Sequence, residues 1–456
     1  MKSVNPASNE LLKTFAPLTK EETVSAIKIA HSAFSEWRET SFQKRRTAIL
    51  KFADLLREDS ERLAKLITIE MGKRISESQY EIEYCAKISE FYAKGAEEFL
   101  SHTRVEVEDA DAYIQHTPIG ALLGVMPWNF PFYQVIRFAT PNIMAGNTVL
   151  MRHASNVPQC AEAIEELFKK CGLPEGVYTN LFIPTEFIDT VISHKLIRGV
   201  SLTGSEPAGA AVASTAGKHI KRSVLELGGN DPFIVLEDAD LEDVIAKAVK
   251  GRMVNTGQSC VASKRFIVVE PLAKKFTAGM KKAMSKLKMG DPMDESTDVG
   301  PLSSESAAVR LEEQVTGSLR AGAKAILGGD RPDRKGAYFN PTILIGVTPE
   351  NPTFDDELFG PVATIYTVKN EEEAIKLANN SSYGLGGSVY SKDTERARRV
   401  AEKIDTGMVF INQPTKSQAE LPFGGTKNSG YGRELSHLGI LEFVNKKLIH
   451  TKKSDD

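Results

Sequence analysis

The spacing of apolar positions changes once, near residue 100, and the change divides the chain. Before it, apolar residues recur at helical intervals. Thr19-Lys20-Glu21-Glu22 has the form of a capping box, with Thr19 as N-cap and Glu22 reaching back. Ala26, Ile27, Ile29, Ala30, Ala33 and Phe34 then follow on a roughly helical period. The pattern predicts a second helix from about Phe42 to Met71, broken near Asp59-Ser60, and a third from about Ser76 to Phe99. The first hundred residues are therefore expected to be helical. Beyond them, Arg104 to Pro118 is short, polar and alternating, which predicts an exposed β-hairpin.

Strand-like runs then alternate with helical ones. The expected strands are Ala121–Met126, Thr148–Arg152, Val177–Phe182, Gly199–Leu202, Ser223–Leu227, Phe233–Leu236, Arg265–Val269, Thr342–Ile345, Val362–Val368, Gly387–Tyr390 and Gly407–Ile411. Helical segments such as Cys160–Lys170 and Leu241–Lys250 lie between them. Such alternation implies an α/β fold with parallel sheets covered by helices. There is no internal repeat, and the charged tail Lys452–Asp456 is expected to fray.

Composition narrows the class. A chain of 456 residues exceeds one ordinary core, so two or three domains are expected. A net charge of -3 without a basic stripe argues against nucleic acid or a membrane surface as partner. The first residues carry no apolar signal region, and no run reaches the roughly 18 apolar residues of a membrane span. Cys85, Cys160, Cys171 and Cys260 form no CxxC pair and show no metal-ligand spacing. A cytoplasmic chain with reduced thiols and no metal site is expected.

Four segments carry candidate chemistry. In Asn255-Thr256-Gly257-Gln258-Ser259-Cys260 a small polar run leads to a thiol, and the glycine permits a tight turn. Cys260 is a candidate nucleophile in an electropositive site, or else a buried structural cysteine like the other three. Glu226, between Leu225 and Leu227 and before Gly228-Gly229, is a candidate general base, because burial would raise its pKa. The alternative is a solvated strand-end carboxylate. In Pro127-Trp128-Asn129-Phe130-Pro131 the prolines hold Asn129 rigidly, as an oxyanion donor or as a turn-capping residue. Thr203-Gly204-Ser205 ends a strand-like run and opens a helical one, where free N–H groups suit phosphate, though an ordinary turn looks the same.

Together these segments resemble the aldehyde dehydrogenase superfamily, in order and over nearly the whole chain. Pro127–Pro131, Thr203-Gly204-Ser205, Glu226-Leu227-Gly228-Gly229 and Gly257-Gln258-Ser259-Cys260 match its motifs. So do Glu357-Leu358-Phe359-Gly360-Pro361, Pro422-Phe423-Gly424-Gly425 and Lys427-Asn428-Ser429-Gly430. The resemblance implies that a Cys260 thiolate attacks an aldehyde. Asn129 and the Cys260 N–H would then hold the oxyanion, and Glu226 would activate water against the thioester. It also implies cofactor contacts at Trp128, Gly204, Ser205, Leu227, Glu357 and Phe359.

The same resemblance bears on cofactor and substrate. Where NAD-specific members carry Lys and, three residues later, Glu, this chain has Arg152 and Ser155. Serine removes the repulsion of a 2′-phosphate and arginine attracts one, so NADP is expected to be preferred, with NAD accepted. The shorter bacterial succinate-semialdehyde dehydrogenases are the most similar subfamily. Arg137 stands where they carry a carboxylate-binding arginine, the alternative being a structural salt bridge, and Ser417 lies in a loop where substrate contacts are expected. A second arginine found in some members is here Val254, and Ala262 rules out the regulatory disulfide of others. Other small aldehydes (glycolaldehyde, lactaldehyde, a phosphorylated triose) are the rival substrates, and a non-catalytic structural role is the rival function. The implied architecture is an aldehyde dehydrogenase-like α/β fold. Residues 1–103 and 119–228 would form a Rossmann-like cofactor domain and 229–430 a catalytic domain. Residues 104–118 and 431–456 would form a small β oligomerisation element of a homodimer or homotetramer.

Overall fold

Ala121–Met126, Thr148–His153, Tyr178–Asn180, Ile197–Thr203 and Arg222–Glu226 are short runs with few exposed positions. Helices Tyr133–Ala145, Pro158–Lys170 and Glu206–Lys218 separate them. Runs of that kind bury both faces by pairing in parallel under helices. In the computed structural model, which describes residues 1–108 and 110–452, they do so in the order 178–180, 148–153, 121–126, 197–203, 222–226. This is the doubly wound order, whose direction reverses between 121–126 and 197–203. The loops Pro127–Pro131 and Gly204-Ser205 leave the carboxyl ends of these two strands.

A second, seven-stranded sheet follows the order 324–327, 342–345, 362–368, 265–269, 232–235, 388–390, 410–411. Only the 324–327 strand is antiparallel to its neighbour. Glu226 ends the first sheet and Pro232 begins the second, so residues 227–231 bridge them. Cys260 lies just before the amino end of the strand Arg265–Val269. The nucleophile candidate thus belongs to the entry side of one sheet, while the candidate base ends a strand of the other. A third sheet pairs Thr103–Val105 and Val444–Lys452 with Ala110–Pro118.

The helical reading of the amino-terminal region holds from Thr19 onward. Glu22 N–H donates to Thr19 Oγ1 at 3.2 Å and Thr19 N–H to Glu22 Oε2 at 2.7 Å, closing the capping box. Helices follow at Lys20–Trp37, Phe42–Glu58, Ser60–Met71 and Ile75–Phe99. The start differs from expectation: Lys2–Asn5 and Glu10–Thr14 form an antiparallel hairpin. Its turn is made by Pro6, by Asn5 Oδ1 accepting from Ala7 N–H at 2.9 Å, and by Asn9 at φ 58°, none of which suits a helix interior. Ile29, placed on the buried stripe by its spacing, is 40% exposed. Of the tail expected to fray, residues 453–456 lie outside the described residues.

Candidate active site

The helix Leu241–Met253 runs into a turn whose residues Asn255, Thr256 and Gly257 all have positive φ, at 51°, 54° and 77°. For a β-branched threonine that conformation is costly, and it persists only where surrounding contacts enforce it. Here Asn255 N–H donates to Glu77 Oε1 at 2.9 Å, Thr256 Oγ1 accepts from Gly300 N–H at 3.2 Å, and Gln258 Oε1 accepts from Ser303 N–H at 2.9 Å. A Cβ on Gly257 would stand 2.1 Å from Gly360 O, so only glycine fits. The strained turn delivers Cys260, which is half-buried while the other three cysteines are buried. Desolvation pushes the Cys260 thiol up to about 12, against the pull of Lys264 and Arg137.

Asn129 is held from three sides. Its Oδ1 accepts from Gln134 Nε2 at 3.0 Å, its Nδ2 donates to Gln258 O at 3.0 Å, and its carbonyl accepts from Asn255 Nδ2 at 2.8 Å. One Nδ2 hydrogen remains, two residues from the nucleophile. The Cys260 N–H has no hydrogen-bond partner among the described residues. The nucleophile loop and the Asn129 amide bonded to it thus keep two unused donors, as an oxyanion hole requires. Gln134 and Asn255, which orient them, carried no signal in the sequence beyond proximity to a motif.

Glu226 ends its strand only 2% exposed, and neither carboxylate oxygen has a hydrogen-bond donor. Burial first, and then the Glu434 carboxylate, hold its carboxyl well above the usual carboxylate range, against Arg137 and Arg433. The solvated alternative does not apply. Its segment reaches the nucleophile loop at Gly229, where a Cβ would stand 2.6 Å from the Cys260 carbonyl oxygen.

Arg137 is not a free fork. Buried at 2% exposure, its guanidinium pairs with Glu434, donates from Nη2 to Thr203 Oγ1 at 3.1 Å, and lies over the rings of Tyr133 and Phe423. The structural salt bridge is the reading the structure supports, because the guanidinium is buried against the Glu434 carboxylate. Nη1 donates to Tyr133 Oη at 3.1 Å, and that hydroxyl donates to Ser417 Oγ at 2.9 Å. Glu434 and Tyr133 were not singled out in the sequence. Their partners come from the far end of the chain.

The crevice between the carboxyl ends of strands 121–126 and 197–203 gathers most of the expected cofactor residues. Trp128 meets Phe359 edge-on at 5.8 Å between ring centroids. Ser205 is the N-cap of the helix Glu206–Lys218, and its hydroxyl has no partner among the described residues. Gly204 N–H donates to Glu226 O at 3.0 Å, and Leu227 packs so close to Gly209 that a Cβ there would collide. Arg152 ends its strand with Nη2 donating to Thr185 Oγ1 at 3.1 Å and with a buried, unpartnered Nε. Ser155 is exposed in the following turn. Glu357 Oε1 accepts from Gly229 N–H at 3.1 Å. An orphaned guanidinium nitrogen, a free N-cap hydroxyl and a helix amino terminus fit a phosphate-bearing dinucleotide. No group of His, Cys, Asp and Glu able to hold a metal ion occurs among the described residues.

Comparison with known proteins places the chain in a family. The sequence profile of the aldehyde dehydrogenase family matches residues 1–449. Succinate-semialdehyde dehydrogenase [NADP(+)] of Deinococcus radiodurans is 49% identical over 447 residues, covering 98% of this chain and 94% of that one. The crystal structure of succinic semialdehyde dehydrogenase from Streptococcus pyogenes in complex with NADP+ superposes with a TM-score of 0.98 at 43% identity, over 99% and 100% of the two chains. Betaine aldehyde dehydrogenase from Staphylococcus aureus in complex with NAD+ gives 0.96 at 31% identity, over 99% and 92%.

Proposed function

We propose that this chain, which belongs to the aldehyde dehydrogenase family, oxidises succinate semialdehyde to succinate with NADP. The chemistry is supported by Asn129 Nδ2 bonding to the nucleophile loop at Gln258 O and by the segment after Glu226 reaching the Cys260 carbonyl at Gly229. The Cys260 sulfur adds to the aldehyde carbon, and the Asn129 amide and Cys260 N–H stabilise the oxyanion that forms. Losing one such donor costs about 3 kcal/mol in comparable sites. NADP, when bound, would supply the hydride acceptor, and Cys260 would then carry the acyl group as a thioester. Glu226 then takes a proton from water as that water attacks the thioester carbonyl. The cofactor would be held by Trp128, Gly204, Ser205, Leu227, Glu357 and Phe359, with Arg152 and Ser155 facing its 2′-phosphate.

The substrate assignment is supported by the activity for which the Deinococcus and Streptococcus relatives are named. A feature of this chain supports it too. Arg137, Tyr133 and Ser417 form a chain of hydrogen bonds, each polarising the next, which leaves the Ser417 hydroxyl as a donor toward a carboxylate. The chain is further proposed to act as a homo-oligomer in the cytoplasm, joined through the sheet of 103–118 and 444–452.

The test is kcat/KM on aldehydes with and without a terminal carboxylate, with NADP and with NAD. Succinate semialdehyde with NADP should be the best pair. Ser417→Ala should raise KM for carboxylated aldehydes alone. Equal activity on uncharged aldehydes would sink the substrate reading, and full activity of Cys260→Ala would sink the mechanism.

A further inference from the structure

Lys264 is 2% exposed and stands four residues after the nucleophile. Its Nζ donates to three carbonyls of the nucleophile loop, Ser259 at 3.0 Å, Cys260 at 2.8 Å and Ala262 at 3.2 Å. The same ammonium lies 3.2 Å from Glu357 Oε1. The lysine backbone is fixed as well, its N–H donating to Asp231 O at 3.1 Å and its carbonyl accepting from Thr364 N–H at 3.1 Å. We infer that Lys264 is a positioning residue for the reaction, which aims the Cys260 N–H, favours the Cys260 thiolate and anchors Glu357.

Two physical arguments carry this. A trans peptide points its C=O and N–H in opposite directions. Drawing the Ser259 carbonyl onto Nζ therefore turns the N–H of the same peptide unit, that of Cys260, away from the ammonium, and that N–H has no partner among the described residues. Second, a buried ammonium is costly unless paired, so clamping a loop alone is better done by an amide. The charged groups facing the thiol are Lys264 and Arg137, which favour its ionised form, and Glu357 and Asp231, which oppose it. Lys264 is the foremost of the two cations. Neighbouring Arg265 gives the contrast: it too is buried and bonds to carbonyls of Asn230, Leu377 and Ala378, yet it approaches no carbonyl of the nucleophile loop.

The inference rests on Cys260 being the nucleophile, but its test reads the thiol directly, whichever aldehyde is the substrate. The rate of iodoacetamide alkylation at Cys260, located by peptide mass spectrometry, is measured between pH 7 and 9 on the full chain. Removing the cation in Lys264→Met should slow alkylation about tenfold at each pH, equivalent to one pKa unit. Lys264→Arg, which keeps the charge, should restore most of the rate. Glu357→Gln, which removes the opposing charge and leaves the loop contacts, should speed alkylation. A purely structural lysine would not produce opposite shifts. Alkylation of Lys264→Met within twofold of the parent overturns the inference, as does a slower Glu357→Gln. Should Lys264→Met not fold, Lys264→Gln, which keeps a donor to the loop carbonyls but not the charge, is read by the same criterion. Loss of the Cys260 mechanism itself would show separately, as activity retained by Cys260→Ala.

Discussion

At Glu226 the protein puts an ionisable group where burial and a second carboxylate both oppose its charge. Its carboxyl is held protonated to well above the usual carboxylate range, and a protonated acid cannot take a proton from water. Deacylation should therefore rise with pH as Glu226 ionises. The same raised pKa means the folded state binds this proton more tightly than the unfolded chain does. Its contribution to stability is thus present at low pH and is lost as pH rises through the folded value. Glu226→Gln should keep the first-turnover burst of reduced cofactor and slow the steady rate about a hundredfold or more, with the pH rise abolished. Stopped-flow absorbance checks both, and a parent deacylation rate flat across pH would contradict the assignment. On their own neighbours Cys260, Glu226 and Asn129 each stayed open between a chemical and a structural role, and only their order among the other motifs of the family singled them out. The role of Arg137 was not legible, since what decides it is Glu434, near the other end of the chain.

Among the elements, the helix Tyr133–Ala145 shows how local and distant signals divide. Its first turn has no capping side chain of its own. Glu81 Oε1, from the helix Ile75–Phe99, accepts from Phe132 N–H at 2.9 Å and Tyr133 N–H at 3.1 Å. Glu81 is in turn paired with buried Lys73, whose ammonium sits 3.8 Å above the Phe130 ring. The helix that carries Gln134 and Arg137 is thereby tied to the loop that holds Asn129. Glu81→Ala strips the cap and leaves Lys73 charged and alone, which should destabilise the fold by about 3–5 kcal/mol. Thermal unfolding followed by circular dichroism reads the loss, and an unchanged transition would show the pair to be idle. The capping box at Thr19 was readable because donor and acceptor are three residues apart. The cap at Glu81 was not, because its acceptor arrives from another helix.

For the whole molecule, the outer strand Val444–Lys452 is where the proposed assembly would form. It pairs on one side with Ala110–Pro118, and its side chains are mostly exposed. An open edge of that length invites pairing or cover by another chain. Ending the chain at Phe443 should convert the proposed oligomer to monomers of about 50 kDa by light scattering. An unchanged mass would place the interface elsewhere.

The alternation of strand and helix, the capping box and the break at Asp59 depend on residues close in sequence. Side-chain chemistry and backbone preference act over that range, so these features could be read directly. The amino-terminal hairpin was missed because its strands are short and only its turn residues distinguish it. The pairing of Arg137 with Glu434, the cap from Glu81, the hold of Lys264 on the nucleophile loop and the high pKa values of Cys260 and Glu226 needed the folded chain. Each depends on desolvation and on groups that only the packing of the folded chain brings together.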